Sequence, residues 1–179
     1  MVDAARRGFL RGGFLTSEGR RDIDRQAEPS GVLPPGIAGN VDVGSCADCS
    51  HPCVDSCEAG IIKVHPEGHG LAGLPYLDFS GAGCTFCGAC AHACPVEGVS
   101  FEPGTEYVLG LAVMDTGKCF AWQSVVCVSC RFACTRSAIP ADSMSRPSID
   151  GDACNGCGAC VAVCPQDAIR VESALTSLP

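Results

Sequence analysis

The sequence predicts an α+β protein with many loops, in which two similar modules follow a flexible N-terminal arm. Three observations support this prediction. Sixteen of the 179 residues are cysteine, and they fall into four blocks of four. Short runs of β-forming residues flank each block, so that one pattern repeats along the chain. The first 40 residues contain no cysteine and no apolar stripe of helix length.

Two of the blocks share the spacing C-x2-C-x2-C-x3-C-P. They are Cys84, Cys87, Cys90 and Cys94 before Pro95, and Cys154, Cys157, Cys160 and Cys164 before Pro165. This spacing is typical of bacterial proteins that bind [4Fe–4S] clusters. Three cysteines in a tight turn aim three thiolates into one small space. The fourth lies beyond the turn, and in two-cluster proteins it binds the neighbouring cluster.

The other two blocks keep four cysteines but change the spacing. Cys46, Cys49, Cys53 and Cys57 have one extra residue before the third cysteine, and Cys119, Cys127, Cys130 and Cys134 have a seven-residue loop after the first. Proline follows neither block. The sequence predicts that all sixteen cysteines bind metal, in four [4Fe–4S] clusters. The alternative for these two blocks is a decayed site, and residues 119–134 depart furthest from the pattern.

Three other roles for the cysteines are weaker. Zinc sites usually combine two separated C-x-x-C pairs, which does not explain a triplet followed by a fourth cysteine and a proline. A disulfide framework suits short secreted chains. Haem attachment requires C-x-x-C-H, which no block contains. His51 and His92 lie inside blocks that already have four cysteines, so we expect neither to be a ligand.

Composition also favours a protein that is built around inorganic clusters. Aromatic residues make up 6% of the chain, so we expect clusters to serve as core and folding to depend on metal. The formal net charge is −8, and four [4Fe–4S]2+ clusters with their thiolates bring it to roughly −16. This charge argues against nucleic acid and anionic membrane as partners and favours a basic protein surface. No apolar run is long enough to span a bilayer.

Residues 1–40 are predicted to form a flexible basic arm that ends in a linker rich in proline and glycine. Residues 1–30 contain six arginines and five acidic residues, hence a net charge of +1. Arg6-Arg7-Gly8 resembles the start of a twin-arginine export signal, but Arg11 and the charges at residues 18–24 interrupt the apolar run that export requires. We therefore expect a cytoplasmic protein. The arginines form either a solvated arm or a peptide that docks to a partner.

The β-like runs divide the cysteine region into two modules. They are predicted at residues 40–43, 61–64, 76–79, 99–102, 109–114, 138–139, 148–150 and 168–172. Strand, cysteine turn, helix and strand then occur twice in each module. This order predicts tandem ferredoxin-like βαββαβ modules at residues 41–104 and 105–179.

The blocks pair either sequentially, first with second and third with fourth, or in a nested scheme, first with fourth and second with third. We favour the sequential scheme because only 19 residues separate Cys134 from Cys154. Each cluster then takes three cysteines of one block and the last cysteine of its partner. The sets are Cys46, Cys49, Cys53 and Cys94; Cys84, Cys87, Cys90 and Cys57; Cys119, Cys127, Cys130 and Cys164; and Cys154, Cys157, Cys160 and Cys134.

No catalytic constellation accompanies the cysteine blocks. The sequence lacks a phosphate-binding loop, a dinucleotide-binding fingerprint and a nucleophile placed beside a base in a recognisable signature. We therefore expect an electron-transfer or assembly protein and not an enzyme.

On these motifs the chain resembles the NapF family, the ferredoxin-type proteins encoded with the periplasmic nitrate reductase. The resemblance covers nearly the full length. It rests on Arg6-Arg7-Gly8, on the order of the four blocks, on Gln123-Ser124-Val125 in the third block and on the fourth block itself. It implies a cytoplasmic accessory protein that contacts the catalytic molybdenum subunit before export and helps it mature, by supplying electrons or an iron–sulfur cluster. Spacing alone indicates a four-cluster module, so a polyferredoxin electron carrier or an electron-transfer subunit of a redox enzyme is the alternative.

Overall fold

A computed structural model of the protein describes residues 31–37, 42–102 and 104–173. Within these ranges the elements are short and loops connect them. The α-helices are α1 (Pro52–Asp55), α2 (Ala89–His92), α3 (Ser129–Ala133) and α4 (Ala159–Ala162), and the strands are β1 (Ile62–Val64), β2 (Pro75–Leu77), β3 (Gly110–Met114) and β4 (Ile169–Ser173). Two 3₁₀ helices occupy Val43–Cys46 and Phe120–Gln123. Each cysteine block contributes one of the four α-helices.

The first predicted module, residues 41–104, contains a small antiparallel sheet. β1 pairs with β2 in the register Ile62↔Leu77, and Val32 extends the sheet through a bridge to Leu77. Apolar side chains of these elements are buried together with Ile61 and Phe79. The turn between the two strands stacks the buried His65 ring on His69 and Tyr76.

The second module is closed by its first and last strands. β3 and β4 pair antiparallel over five residues, from Gly110↔Ser173 to Met114↔Ile169. The inward side chains of this sheet pack against cysteines as well as aliphatic residues: Ala112 and Ile169 share one buried cluster with Ile139, Cys130 and Cys160. Cysteine side chains are therefore part of the core.

The structure has the predicted mixture of short helices and strands, but it does not form the full βαββαβ order in either module. In the first module only the inner pair forms. Val43, in the predicted strand at 40–43, begins a 3₁₀ helix, and residues 40 and 41 lie outside the described ranges. Residues 99–102 form no strand, although the Ser100 N–H donates to the Gly36 carbonyl oxygen at 3.3 Å.

In the second module the outer pair forms and the inner pair is reduced. The predicted strands at 138–139 and 148–150 are joined by a hydrogen bond of 2.9 Å from the Asp150 N–H to the Ala138 oxygen. An isolated bridge, Ala141↔Pro147, lies between the two segments. Proline explains the loss, because Pro140 and Pro147 supply no N–H to a ladder. Among the described residues, each predicted module therefore has the pair of strands that the other one lacks.

The predicted flexible linker is wrong for residues 31–37. Val32, Leu33 and Ile37 are buried, and the Gly36 N–H donates to the Tyr107 hydroxyl at 3.0 Å. These aliphatic side chains leave water because the short first sheet and its loops offer them an apolar surface. Residues 1–30 and 38–40 of the predicted arm lie outside the described ranges.

The two modules contact each other through their backbones. The Cys84 N–H donates to the Cys157 carbonyl oxygen at 2.7 Å. Val161 and Val171 of the second module pack on the apolar core of the first. In the part of the chain that the structure describes, no helix has the length and hydropathy needed to cross a membrane.

Candidate metal centres

Four cavities in the structure are each bordered by a set of four cysteines. The sets are Cys46, Cys49, Cys53 and Cys94; Cys57, Cys84, Cys87 and Cys90; Cys119, Cys127, Cys130 and Cys164; and Cys134, Cys154, Cys157 and Cys160. We number these sites one to four in that order. Every set takes three cysteines from one block and the last cysteine from its partner within the same module. The blocks are thus arranged sequentially and not nested, with Cys90 also bordering site one.

The short helices explain how one block serves two sites. In the second block Cys90 lies in α2, and Cys94 follows the end of that helix. Four residues of helix advance the chain by about 6 Å, so the two sulfurs on one side of it reach different cavities. α4 relates Cys160 to Cys164 in the same way. The two sites of each module are therefore neighbours, joined by a helix at each end.

A left-handed residue begins three of the four helices. Gly88 and Gly158 have φ of 75° just before α2 and α4, which turns the chain sharply between the second and third cysteines. A Cβ at Gly88 would come within 2.6 Å of the Phe101 ring, and one at Gly158 would overlap the Phe79 ring. Only glycine satisfies both the backbone angle and the space at these positions.

In the first block the extra residue changes how this turn is made. His51, with φ of 56°, takes the left-handed conformation before α1. Its Nε2 lies 2.7 Å from the Gly73 carbonyl oxygen, and since a carbonyl can only accept, Nε2 carries the proton. The ring borders site one but is held by this hydrogen bond. The extra residue of this block is thus accommodated by the left-handed backbone of His51, and the hydrogen bond of its ring to Gly73 stabilises the turn.

The loop of the third block is also compact. Trp122 N–H and Gln123 N–H donate back to the Cys119 carbonyl oxygen at 3.1 and 3.2 Å, and the indole Nε1 donates to Pro147 oxygen at 3.0 Å. This 3₁₀ fold keeps Cys119 buried beside site three. The seven-residue insertion therefore does not remove its cysteine from the set.

Backbone N–H groups point at several of the cysteine sulfurs. His51 N–H and Phe86 N–H donate to Cys49 Sγ and Cys84 Sγ at 3.4 Å. Ala138 N–H and Ala168 N–H reach the last cysteines of their blocks, Cys134 Sγ and Cys164 Sγ, at 3.3 Å. Hydrogen bonds of this kind stabilise sulfur that carries negative charge and tune the potential of a bound cluster.

The thiol pKa values respond to burial and to neighbouring sulfurs. Burial, together with Cys94 and Cys49, raises the pKa of Cys53 to about 11. Burial, followed by the charges of neighbouring cysteines, raises the pKa values of Cys90 and Cys160 to about 12. Four thiolates in one cavity therefore repel one another unless a positively charged metal core lies between them.

The donor sets fit a polynuclear cluster. Across the described ranges, no three His, Cys, Asp or Glu side chains are grouped for a single metal ion. A cubane holds its four thiolates apart, one at each iron corner, and the cysteines border the four cavities in sets of that number. An all-cysteine donor set is also the one that iron–sulfur clusters use.

Two features of the sites were not found by sequence reasoning. Pro34, Pro35 and Ile37 form a wall of site one, so the segment assigned to a linker covers a candidate centre. The Cys84–Cys157 hydrogen bond brings sites two and four together across the modules, and the Cys157 charge contributes to the raised pKa of Cys84 after burial and its other neighbours. Two adjacent small residues before Cys84, Ala82 and Gly83, were the available signal for a close approach.

Two family profiles match the chain. Residues 45–98 match a profile described as a 4Fe-4S dicluster domain, which covers the first two blocks. Residues 147–170 match a 4Fe-4S binding domain, which covers the fourth block. The third block lies outside both matches. Binding of iron–sulfur clusters is thus supported by family similarity as well as by the donor sets.

Curated relatives cover nearly the whole chain. Ferredoxin-type protein NapF of Escherichia coli is 33% identical over 176 residues, which are 96% of each chain. The protein of the same name from Haemophilus influenzae is 33% identical over 172 residues, or 93% of each chain. Ferredoxin-type protein NapG of Escherichia coli is 31% identical over 93% of this chain and 84% of its own. These relatives are ferredoxin-type proteins and not catalysts, as the lack of a catalytic signature predicted.

Proposed function

The chain belongs to the NapF family of ferredoxin-type proteins, and from that premise we propose that it is a cytoplasmic iron–sulfur accessory protein of the periplasmic nitrate reductase system. In this role it contacts the catalytic molybdenum subunit before export and helps it mature, by supplying electrons or an iron–sulfur cluster. The observation that carries the proposal is the arrangement of the sixteen cysteines, which border four cavities in sets of four.

All sixteen cysteines act as ligands in this proposal, four to each of four [4Fe–4S] clusters. Such clusters supply reversible one-electron chemistry when they are bound. The chain supplies the four thiolates of each set, the N–H donors to sulfur, and apolar walls that limit water. At site one, Pro34, Pro35 and Ile37 provide the apolar wall that limits water.

The proposed location and contact rest on the N-terminal residues. Arg11 and the charges at residues 18–24 interrupt the segment after Arg6 and Arg7, which favours retention in the cytoplasm. The arginines suit a partner with exposed carboxylates, because guanidinium groups pair with carboxylates in bidentate geometry.

A specific contact favours the alternative, a plain electron carrier. The 2.7 Å hydrogen bond between Cys84 and Cys157 brings sites two and four together, and the helices join each of them to the other site of its module. This arrangement links the sites in the order one, two, four and three. An unbroken series of sites is what conduction between a donor and a reductase requires.

One experiment separates the two functions. Tagged full-length protein and a variant that lacks residues 1–30 are isolated anaerobically from cytoplasm, and co-purified catalytic subunit is quantified beside iron content. An accessory protein captures the subunit before export, and deletion of the arm lowers capture at constant iron. An electron carrier accepts and returns electrons equally well in both forms. If the shortened protein captures the catalytic subunit as well as the full-length protein does, the arm is not part of the contact. If neither form captures the subunit, the accessory role is wrong.

A further inference from the structure

The third cysteine block exposes large apolar side chains beside site three. Val126 is 95% exposed and Phe132 is 85% exposed, and Val125 is about half exposed. They lie on both sides of Cys127 and Cys130, which border that site. Grouped exposed apolar side chains mark interaction sites, and these three lie within eight residues of the chain.

Local structure accounts for this exposure. Ser124 takes a left-handed conformation at the end of the 3₁₀ helix, and the Val125 N–H closes the turn on the Phe120 oxygen at 3.0 Å. The two valines are thereby held in the loop outside the turn. Phe132 lies two residues after the buried Cys130 in α3, and two helical residues differ by about 200° in direction, so its ring faces water while Cys130 faces the site.

The charge of this segment is opposite to that of the whole protein. Residues 116–141 contain three basic residues, Lys118, Arg131 and Arg136, and no aspartate or glutamate, whereas the chain has a net charge of −8. Arg136 pairs with Glu106 at 3.2 Å, while Lys118 and Arg131 form no ion pair with the described residues. Exposed apolar side chains are thus accompanied by cations that remain available to a partner.

We propose that Val125, Val126 and Phe132, together with Lys118 and Arg131 of the same segment, form the docking surface for a protein partner that presents an apolar depression flanked by carboxylates. We call these five residues the site-three face. The inference rests on the proposed contact with the catalytic subunit and adds the surface that makes it. The net charge of the whole chain predicts a basic partner, whereas this face is proposed to bind an acidic surface.

Charge decides among the occupants. The N-terminal arm carries six arginines and five acidic residues, a net charge of +1, so it offers Lys118 and Arg131 no net electrostatic attraction. A second copy of the chain has a net charge of −8 before clusters are counted, so two copies repel each other overall. A different protein with a local group of carboxylates has neither disadvantage. Complementary charge raises its association rate, and the apolar side chains provide the buried centre of the contact.

The test uses anaerobically reconstituted full-length protein with two variants of the face. Val126→Ser with Phe132→Ser removes apolar surface, and Lys118→Glu with Arg131→Glu reverses charge. Val108→Ser, at a 55% exposed valine outside the face, and Arg170→Glu, at an exposed arginine on β4, are the matched controls. We expect each variant to retain its clusters, because all substituted side chains are exposed. Iron content and visible absorbance check this.

Binding is measured with two probes, the purified catalytic subunit and an acidic flavodoxin whose cofactor edge is surrounded by carboxylates. We expect either face variant to raise the Kd about tenfold or more, and the controls to change it less than twofold. Charge reversal should also flatten the dependence on salt.

The outcomes separate the two proposals. If the subunit binds and the face variants bind equally well, the face is wrong and the proposed function stands. If the subunit does not bind while flavodoxin binds through the face, the proposed function fails and the face stands. Failure of both probes to bind the wild-type protein overturns both. If the wild-type protein self-associates and the face variants do not, the face binds a second copy of the chain and the proposed partner is wrong.

Discussion

The backbone N–H of Cys84 donates a hydrogen bond to the backbone carbonyl oxygen of Cys157, with 2.7 Å between nitrogen and oxygen. Each residue belongs to a cysteine block with full ferredoxin spacing, and each borders a different cavity. The modules therefore contact each other at their candidate centres. Any change that separates these two backbones alters the distance between sites two and four.

Gly83 provides a direct test of this junction. A Cβ at Gly83 would lie 2.7 Å from the Ala159 nitrogen and 2.8 Å from its Cα, and backbone atoms cannot move aside cheaply. We expect Gly83→Ala to destabilise the clustered protein by about 1–3 kcal/mol. The measurement is the temperature at which visible absorbance is lost. Gly81→Ala is the control, because a Cβ there meets nothing within 4 Å, and equal midpoints for the two variants would contradict the predicted contact.

Cysteine substitutions test how the blocks share the sites. Cys94 belongs to the second block but borders site one with Cys46. Cys46→Ala and Cys94→Ala should each reduce bound iron by up to one cluster, roughly four atoms of sixteen, and the double variant should lose no more than either alone. Combining Cys94→Ala with Cys84→Ala should double the loss, because Cys84 borders site two. Iron and acid-labile sulfide per chain measure these losses. Additive loss for Cys46 and Cys94 would contradict the shared site.

The sequence located the sites better than the elements around them. Cysteine spacing is a local signal that defines the four blocks, but it left sequential and nested pairing open. The cysteines border the four cavities in the sequential arrangement, which the short connection between the third and fourth blocks favoured. Short runs of β-forming residues predicted β1 and β3 to within one residue. These features depend on neighbours in the chain.

Features that depend on packing between distant residues were missed. Val32 reads as part of a Pro/Gly-rich linker, yet its carbonyl oxygen accepts the Leu77 N–H at 2.8 Å. The predicted strand at 148–150 follows Pro147, whose missing N–H limits pairing with the segment before it. The contact between Cys84 and Cys157 joins residues 73 positions apart, for which no periodic pattern exists.

Substitutions of His51 can distinguish the effect of its left-handed backbone from the effect of its hydrogen bond to Gly73. Its left-handed backbone costs alanine about 1–2 kcal/mol but costs glycine little, while either substitution removes the bond to Gly73. We therefore expect His51→Ala to release iron from site one about tenfold faster than His51→Gly does. Release to a chelator is followed by visible absorbance.

His92 is the control for this comparison. It lies in the second block, it is exposed, and no hydrogen bond of its side chain occurs among the described residues. His92→Ala should release iron at the wild-type rate. Faster release from His51→Gly than from His51→Ala would mean that the left-handed turn does not limit the stability of site one.

Removal of the metal should abolish cooperative folding. Cys130 and Cys160 are buried in the core of the second module, and Cys90 is buried in that of the first, so the apolar cores are interrupted by thiols that face a cavity. Without clusters each cavity loses the contacts that would fill it, and large aromatic side chains are too few to compensate. We expect reduced, chelated protein to give coil-like circular dichroism and to be digested rapidly by protease. Reconstitution with iron and sulfide should restore both properties, which serves as the control for irreversible damage. A metal-free chain that keeps a sharp thermal transition would show that the polypeptide core is sufficient without clusters.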